Sequence, residues 1–238
     1  MEIELLMSDR NVIEVRNVSK TYQSGQLKVQ ALREVSLQVP QGAFMTISGP
    51  SGSGKSTLLN ILGLLDRPDT GQVFLGGELF TVTDFDAVAE IRSKTVSFIF
   101  QSFNLIPVLN LEENVMVPLV IRSDITKEEK RRRVEEWIRH AGLWDHRRHL
   151  PDELSGGQRQ RVSIARAMVT YPQIVLADEP TANLDSNTSD GILELMKQVN
   201  EERKTTFVFS THDPRVQKYA REKIQLVDGK IVSPANSG

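Results

Sequence analysis

The chain has 238 residues, 39% hydrophobic and 25% charged, which is the balance of an ordinary globular protein. That length can bury a sizeable core without disulfides or a structural metal. The absence of cysteine excludes disulfides, thiol catalysis and cysteine-ligated zinc. The 29 basic and 31 acidic side chains leave a net charge of −2, whereas a general nucleic-acid binder is usually basic. The composition excludes a disordered chain, a collagen-like fibre and a disulfide-stapled secreted peptide, and it disfavours duplex binding.

Neither a targeting signal nor a membrane-spanning segment is predicted. Residues 1–11 carry acidic side chains where a secretory signal would carry basic ones. The chain also lacks an uninterrupted run of about 18 apolar residues, the length that spans a bilayer. We therefore expect a soluble chain whose role at any membrane comes through a partner.

The first predicted elements are strands, followed by a glycine-rich loop and a helix. Alternating apolar residues predict strands over residues 12–18 and 35–39, and a short apolar run predicts a buried strand over 44–48. A helix is expected over 56–65, after the glycine-rich loop. The next strand is predicted over 96–100.

The middle of the chain reads as helical. Apolar spacing predicts helix between residues 111 and 141, with a capping box at Thr126–Glu129, and another helix over 154–169 that Ser155 opens. No strand pattern occurs between about 102 and 167. We therefore expect an inserted helical subdomain within a single domain over 1–238.

The last part of the chain alternates between strands and helices. Strands are predicted over 174–177 and 205–210, with a helix over 186–203 between them. A second helix begins at Asp213 and Pro214, and a hairpin over 223–233 closes the chain. This alternation predicts an α/β fold with a largely parallel sheet.

The glycine-rich loop, GPSGSGKS over 49–56, fits the pattern G-x-x-x-x-G-K-[ST]. Glycines bring backbone N–H groups close to phosphate oxygens, and the following helix points its positive end at them. Lys55 is expected to reach the β- and γ-phosphates, and the Ser56 hydroxyl to ligate Mg²⁺. The alternative is an ordinary glycine-rich turn, which the strand–loop–helix context disfavours. The candidate nucleotide-binding residues are Gly49, Ser51, Gly52, Ser53, Gly54, Lys55, Ser56 and Thr57.

Two carboxylates follow the apolar strand at 174–177. Asp178 stands at the carboxyl end of that strand, where open α/β sheets bind ligands, and is expected to hold Mg²⁺ through water. Glu179 is placed to orient or deprotonate an attacking water. For the pair alone, a solvated strand end would be the better interpretation, but the phosphate loop favours a catalytic one.

The segment LSGGQ over 154–158 resembles the signature motif of ABC ATPases. The motif order also fits that family, and the resemblance covers about residues 12–232. It implies a P-loop NTPase core with a mostly parallel sheet, an antiparallel β subdomain and an inserted α-helical subdomain. It also implies ATP and Mg²⁺ as ligands and a transport-coupled ATPase activity.

The resemblance assigns three further residues to the chain's own ATP. Tyr22 looks like the aromatic side chain on which adenine stacks. Gln101 resembles the residue that links Mg²⁺ and the attacking water to the helical subdomain. His212 resembles the γ-phosphate sensor, a catalytic role shared with Glu179, Gln101 and Lys55.

Other residues are implied to act on a second copy of the chain. Ser155, Gly156, Gly157 and Gln158 resemble groups that contact the γ-phosphate bound by that copy, and Asp185 looks like the residue that reaches across the dimer. The signature helix start is an anion site far in sequence from Lys55. A head-to-tail homodimer with two ATP molecules between the copies brings the two sites together.

Within the family, the segments at 101–107, 113–115 and 176–181 resemble the lipoprotein-release and macrolide-export group. Ala182 departs from the glycine common in that group. The resemblance implies an integral membrane permease as partner, peripheral placement at the cytoplasmic face of the inner membrane, and no nucleic acid.

Three other functions stay open from the sequence. An importer-type ATPase would use a different permease, and the end of the chain at Gly238 favours the export group over it. A soluble ABC protein acting on ribosomes or in DNA repair usually has two cassettes or a long insert. A nucleotide-binding regulator without turnover is disfavoured by the intact candidate catalytic residues.

Overall fold

The computed structural model describes residues 11–25 and 27–232. The observation on a targeting signal therefore lies outside the described residues, apart from Asn11, as does the last predicted hairpin residue, Ser233. The strands are β1 (Asn11–Ser24), β2 (Leu27–Pro40), β3 (Phe44–Ser48), β4 (Thr70–Leu75), β5 (Glu78–Leu79), β6 (Val96–Ile99), β7 (Ile174–Asp178), β8 (Thr206–Ser210), β9 (Glu222–Val227) and β10 (Lys230–Ile231). The α-helices are α1 (Lys55–Leu62), α2 (Phe85–Thr95), α3 (Leu111–Val120), α4 (Lys127–His140), α5 (Gly156–Met168), α6 (Ser186–Arg203) and α7 (Pro214–Tyr219).

The central sheet has six strands in the order β10-β9-β3-β8-β7-β6. Every pair is parallel except β9 with β10, so the predicted largely parallel sheet and the closing hairpin are confirmed. The strands are short apolar runs because helices or the other sheet cover both faces. The carboxyl ends of β3, β6, β7 and β8 consequently lie along one edge, where ligands bind in such sheets.

The second sheet is antiparallel, in the order β2-β1-β4-β5, as the family resemblance implies. Its first two strands run well beyond the predicted 12–18 and 35–39. The sequence did not predict the remaining parts, because they carry exposed residues without apolar alternation. The sequence analysis missed β4, β5 and α2. These elements are half-exposed, although Asp84, which caps α2 by accepting from the Ala87 N–H, was a local signal for a helix start.

The segment between β6 and β7 contains helices and no strand, all of it within the described residues. The helical region expected between residues 111 and 141 consists of two helices, separated at residues 121–126, and the second begins after the predicted cap at Thr126. Thr126 caps the second by accepting from the Glu129 N–H at 3.2 Å. The predicted capping box is only half formed, because the Glu129 carboxylate accepts from Arg132 and Arg133 instead.

Two hydrophobic clusters lie on opposite faces of the central sheet. One joins the helical segment to the sheet through side chains such as Trp137, Val175 and Phe207. The other joins the antiparallel sheet and α1 to the opposite face, with Leu58 and Leu176 among its members. Adjacent residues of β7 therefore enter different clusters, as the two-residue period of a strand requires. Among the described residues, no helix is both long and apolar enough to cross a membrane.

Candidate active site

The glycine-rich loop joins β3 to α1 in a backbone conformation that only glycine fits. Gly49 and Gly54 have φ of 150° and 101°. A Cβ atom would lie 2.0 Å from the Leu226 carbonyl oxygen at Gly49 and 2.3 Å from the Ala31 carbonyl oxygen at Gly54. Gly54 is also the N-cap of α1 and offers no side chain to its first N–H groups. The start of α1 therefore has the free donors and the positive dipole end that bind an anion.

Lys55 lies against this loop. Its ammonium donates to the carbonyl oxygens of Gly49 and Pro50, both at 2.8 Å. These two bonds use two of its three N–H donors and hold the charge at the loop. The loop residue Ser53 is buried, and its hydroxyl has no partner among the described residues. Ser51 and Gly52 are exposed on the same loop.

The structure brings two of the three predicted metal-binding residues together. The Ser56 hydroxyl donates to Asp178 Oδ2 at 3.1 Å, although the residues are 122 positions apart. A hydroxyl and a carboxylate are the hard oxygen donors that Mg²⁺ prefers, so this pair fits the ion. Gln101 follows β6 and is exposed. In the part of the chain that the structure describes, no hydrogen bond joins its side chain to this pair, and its backbone carbonyl accepts from Asn183 Nδ2 at 3.0 Å.

Glu179 is held in a strained position directly after Asp178. Its φ is 46°, a left-handed conformation that costs a non-glycine residue on the order of 1–3 kcal/mol. Three bonds fix it: its N–H donates to the Ser210 carbonyl oxygen, Thr211 Oγ1 donates to its Oε2 at 2.9 Å, and His212 Nδ1 lies 2.6 Å from its Oε1. Because an ionised carboxylate only accepts, the imidazole donates from Nδ1, which leaves Nε2 for another group.

His212 and Glu179 differ in exposure in a way that suits separate tasks. The His212 side chain is 77% exposed, whereas that of Glu179 is 15% exposed. A cavity of about 440 Å³ borders His212 together with Gly49 and Pro50, so the imidazole and the phosphate loop face the same space. Sequence analysis missed Thr211, which is fully buried. Its only sequence signal was a hydroxyl next to His212 at the end of a strand.

Tyr22 lies on β1 and is fixed through its hydroxyl, which donates to Asp66 Oδ2 at 2.7 Å. Lys20 donates to the other oxygen of Asp66 at 2.6 Å. Burial, followed by the bond to Asp66, raises the pKa of Tyr22, while the Thr57 hydroxyl lowers it. Burial also opposes ionisation of Asp66, but the bonds from Lys20 and Tyr22 hold the pKa of its carboxyl below the usual value. Tyr22 thus lies near Thr57, in the first turn of α1.

The signature residues form a second cluster. Ser155 caps α5 by accepting from the Gln158 N–H at 3.2 Å, and Gln158 Oε1 accepts from the Ser155 N–H at 2.8 Å. This reciprocal pair leaves the amides of Gly156 and Gly157 without a side-chain cap. A Cβ at Gly157 would lie 2.5 Å from Thr188 Cγ2, so the start of α5 packs closely against the start of α6.

Asp185 belongs to this second cluster. It caps α6, accepting from the Thr188 N–H at 3.0 Å and from its hydroxyl at 2.6 Å. These bonds hold the pKa of Asp185 below its usual value. Within the described residues, no hydrogen bond joins the second cluster to the glycine-rich loop. The candidate phosphate-binding groups of one chain therefore form two separate clusters.

Comparison with known proteins places these features in a family context. A family model described as ABC transporter matches residues 32–182. MJ0796 of Methanocaldococcus jannaschii, an ABC transporter ATP-binding protein, is 45% identical over 223 residues, which are 92% of this chain and 95% of that protein. Its structure, a dimer in a post-hydrolysis state bound to ADP and Pi, matches with a TM-score of 0.85 and 42% identity, covering 95% of this chain and 100% of that one.

Two relatives with named systems are similar to a comparable degree. The lipoprotein-releasing system ATP-binding protein LolD of Francisella tularensis is 44% identical over 227 residues, which are 95% of this chain and 98% of that protein. The macrolide export ATP-binding/permease protein MacB of Syntrophobacter fumaroxidans is 42% identical over 222 residues. That match covers 93% of this chain but 31% of MacB.

Proposed function

Because this chain belongs to the ABC transporter family, we propose that it is the ATP-hydrolysing subunit of a membrane transporter. The observation that carries the proposal is the grouping of Lys55, the Ser56–Asp178 pair and Glu179 around the glycine-rich loop. We also propose that residues 1–238 form one ATP-binding domain, with the helical segment at about 102–167 as its subdomain.

The geometry supports hydrolysis by in-line attack of water on the γ-phosphate. Lys55 and the N–H groups of the loop bind the phosphates, and Tyr22 offers its ring to the base. Mg²⁺ supplies charge neutralisation when bound, and Ser56, Asp178 and Gln101 would hold it. Glu179 orients the water and accepts its proton at a carboxylate oxygen, while the bond between the γ-phosphorus and the bridging oxygen breaks to leave ADP. His212, exposed beside the loop, binds the γ-phosphate.

We propose that hydrolysis takes place in a head-to-tail dimer. The separation of the second cluster from the loop supports this, because the uncapped amides at Gly156 and Gly157 can bind an anion but form no hydrogen bond to their own glycine-rich loop within the described residues. Two copies place the Ser155 end of one chain on the nucleotide of the other, with Asp185 beside it. The similar MJ0796 was solved as a dimer. Loss of the γ-phosphate removes the anion shared by the two chains, so the dimer opens.

We propose that dimer closure drives a membrane permease of the lipoprotein-release or macrolide-export type. The similarity of LolD and MacB supports this group. The chain would then lie at the cytoplasmic face of the inner membrane as a peripheral subunit. ATP can move the permease only by the difference in its affinity for the open and closed dimers.

The replacement Glu179→Gln tests the hydrolytic proposal. The amide cannot accept the water proton, so phosphate release should fall by about 100-fold or more, with ATP affinity retained. The measurements are phosphate release and equilibrium binding of ATP. Lys55→Ala is the matched variant at the other end of the site, and it should lose most of its ATP affinity. Normal hydrolysis by Glu179→Gln would remove Glu179 from the mechanism, and normal binding by Lys55→Ala would refute the phosphate site.

The transport proposal needs a partner experiment. Glu179→Gln locked with ATP would be isolated from membranes of the source cell, and the associated proteins identified, with Lys55→Ala as the control that does not close. A permease with few spans and a large external domain would support the export group. A permease with many spans and a solute-binding protein would indicate import. Ribosomal or DNA-repair proteins without a permease would refute coupling to transport.

A further inference from the structure

The backbone just after Gln101 is attached to α5, the helix that begins at the signature residues. The guanidinium of Arg166 donates from Nη2 to the Phe103 carbonyl oxygen at 2.6 Å and from Nη1 to the Asn104 carbonyl oxygen at 2.5 Å. Arg166 is half-buried, and burial lowers its pKa. A planar guanidinium donates two bonds in a fixed geometry, so it fixes both carbonyl groups at once.

The two residues that accept these bonds are strained. Phe103 and Asn104 have φ of 61° and 49°, both left-handed. Non-glycine residues keep this conformation only where their surroundings impose it. Here a second contact from α5 adds to the first, because the Arg159 guanidinium lies 5.3 Å from the centre of the Phe103 ring. The shape of the backbone at 103–104 is therefore set from α5.

The same loop has two other anchors. Asn183, between β7 and α6, donates to the carbonyl oxygen of Gln101 at 3.0 Å. Asn114 of α3 is fully buried and accepts from the Ile106 N–H at 2.7 Å. The backbone at Gln101 is thus bonded to the segment after β7, and the backbone two and three residues further on is bonded to Arg166. Of the hydrogen-bond donors and acceptors named here, only Arg166 stands on the signature helix, where Arg159 adds its contact with the Phe103 ring.

We propose that Arg166 is a positioning residue that makes Gln101 follow the movement of α5. Arg166 lies eleven residues beyond Ser155, which is about 16 Å along a rigid helix. When the Ser155 end of one chain contacts the nucleotide of a second copy, that contact would thereby set the position of Gln101 in the chain that carries Ser155. The inference rests on the proposed function, in which Gln101 acts on Mg²⁺ and the attacking water.

The test compares Arg166→Met, Arg166→Lys, Gln101→Ala and the double variant Gln101→Ala/Arg166→Met. Arg166→Met should lower kcat about tenfold, with the Kd for ATP changed less than about twofold. Lysine keeps one of the two bonds, so Arg166→Lys should recover part of the loss. The kcat of the double variant should equal that of Gln101→Ala alone, within about twofold, because both changes abolish the same contribution of the Gln101 side chain.

A second readout does not depend on turnover. Amide hydrogen exchange in the nucleotide-free chain should rise at residues 103–106 in Arg166→Met, because the loop backbone loses the two carbonyl bonds that anchor it to α5 and opens more often. Arg161→Met is the matched control: Arg161 also lies on α5 and donates to a backbone carbonyl, that of Ala141, but not to this loop. It should leave both kcat and exchange at 103–106 unchanged. Thermal melting of each variant establishes that it is folded.

Three results would overturn the inference. They are an unchanged kcat in Arg166→Met, losses that multiply in the double variant, and unchanged exchange at residues 103–106. A fourth result would locate the failure in the premise, which is the role of Gln101 in hydrolysis. If Gln101→Ala alone hydrolyses ATP normally, the role of Gln101 in the proposed function fails, and the positioning role fails with it.

Discussion

Asp66 shows how one carboxylate outside any recognised motif fixes a predicted site residue. It receives the Tyr22 hydroxyl and the Lys20 ammonium on separate oxygens. Its bonds cross 44 and 46 positions of sequence. The ring of Tyr22 is thereby held near the first turn of α1. The charge on Asp66 consequently stabilises the folded chain more than the charge on an exposed carboxylate would.

Asp66→Asn should reduce the free energy of unfolding at pH 7 by about 1–3 kcal/mol, because bonds to a charged acceptor are lost. The folded pKa lies below the unfolded value of 3.8, so the carboxylate stabilises the chain above that pH and ceases to do so as the pH falls through the folded pKa. Urea unfolding at pH 7 and towards pH 3 measures this, with exposed Asp145→Asn as control. A difference that stays constant across this range would contradict the assignment.

The junction of α5 and α6 is a helix contact with a tight steric limit. A Cβ at Gly157 would lie 2.5 Å from Thr188 Cγ2, whereas one at Gly156 would meet Leu184 Cδ2 at an ordinary 3.6 Å. The Thr188 hydroxyl is itself bound to Asp185. The second glycine of the signature therefore serves the packing of two helices as well as any ligand.

Gly157→Ala should destabilise the chain by about 1–3 kcal/mol through overpacking. Gly156→Ala is the control for the intrinsic gain in helix propensity, and it should be neutral or slightly stabilising. Adding Thr188→Ser to Gly157→Ala removes the clashing methyl group and keeps the hydroxyl, so it should restore most of the loss. Urea denaturation gives all three values. Failure of Thr188→Ser to restore stability would show that the methyl contact is not the cause.

The sequence predicted a feature correctly where the interactions that set it join residues close together in the chain. Local strings predicted the glycine-rich loop, the helix start at Ser155 and the strand before Asp178, because their geometry is set within a few residues. The elements β4, β5 and α2 were missed because they are short or half-exposed and carry weak periodicity. The bonds of Thr211 and Arg166 were out of reach, because they join residues 32 and more than 60 positions apart.

At the scale of the whole molecule, the two separate phosphate-binding clusters predict that one mutation can abolish dimer formation without changing the affinity for ATP. In a Glu179→Gln background, Ser155→Arg should retain ATP affinity, because the chain's own loop is intact. It should lose the ATP-dependent dimer, because the bulky cation occupies the helix start offered to the partner. Size-exclusion chromatography with light scattering measures the mass, and Ser123→Arg, at an exposed serine of the helical segment, is the control. A dimer that persists in Ser155→Arg would refute the head-to-tail arrangement.

The placement of Trp137 in the hydrophobic cluster of the helical segment has an optical consequence. The chain has two tryptophans, and the other, Trp144, lies in the short turn that follows α4, packed against the same cluster. Arg139 and Arg147 lie over the Trp144 ring at 3.7 and 4.4 Å, so its emission is sensitive to small shifts of these cations. Tryptophan emission, excited selectively over that of the three tyrosines, therefore reads the helical segment, and the native chain carries a label-free probe of its movement.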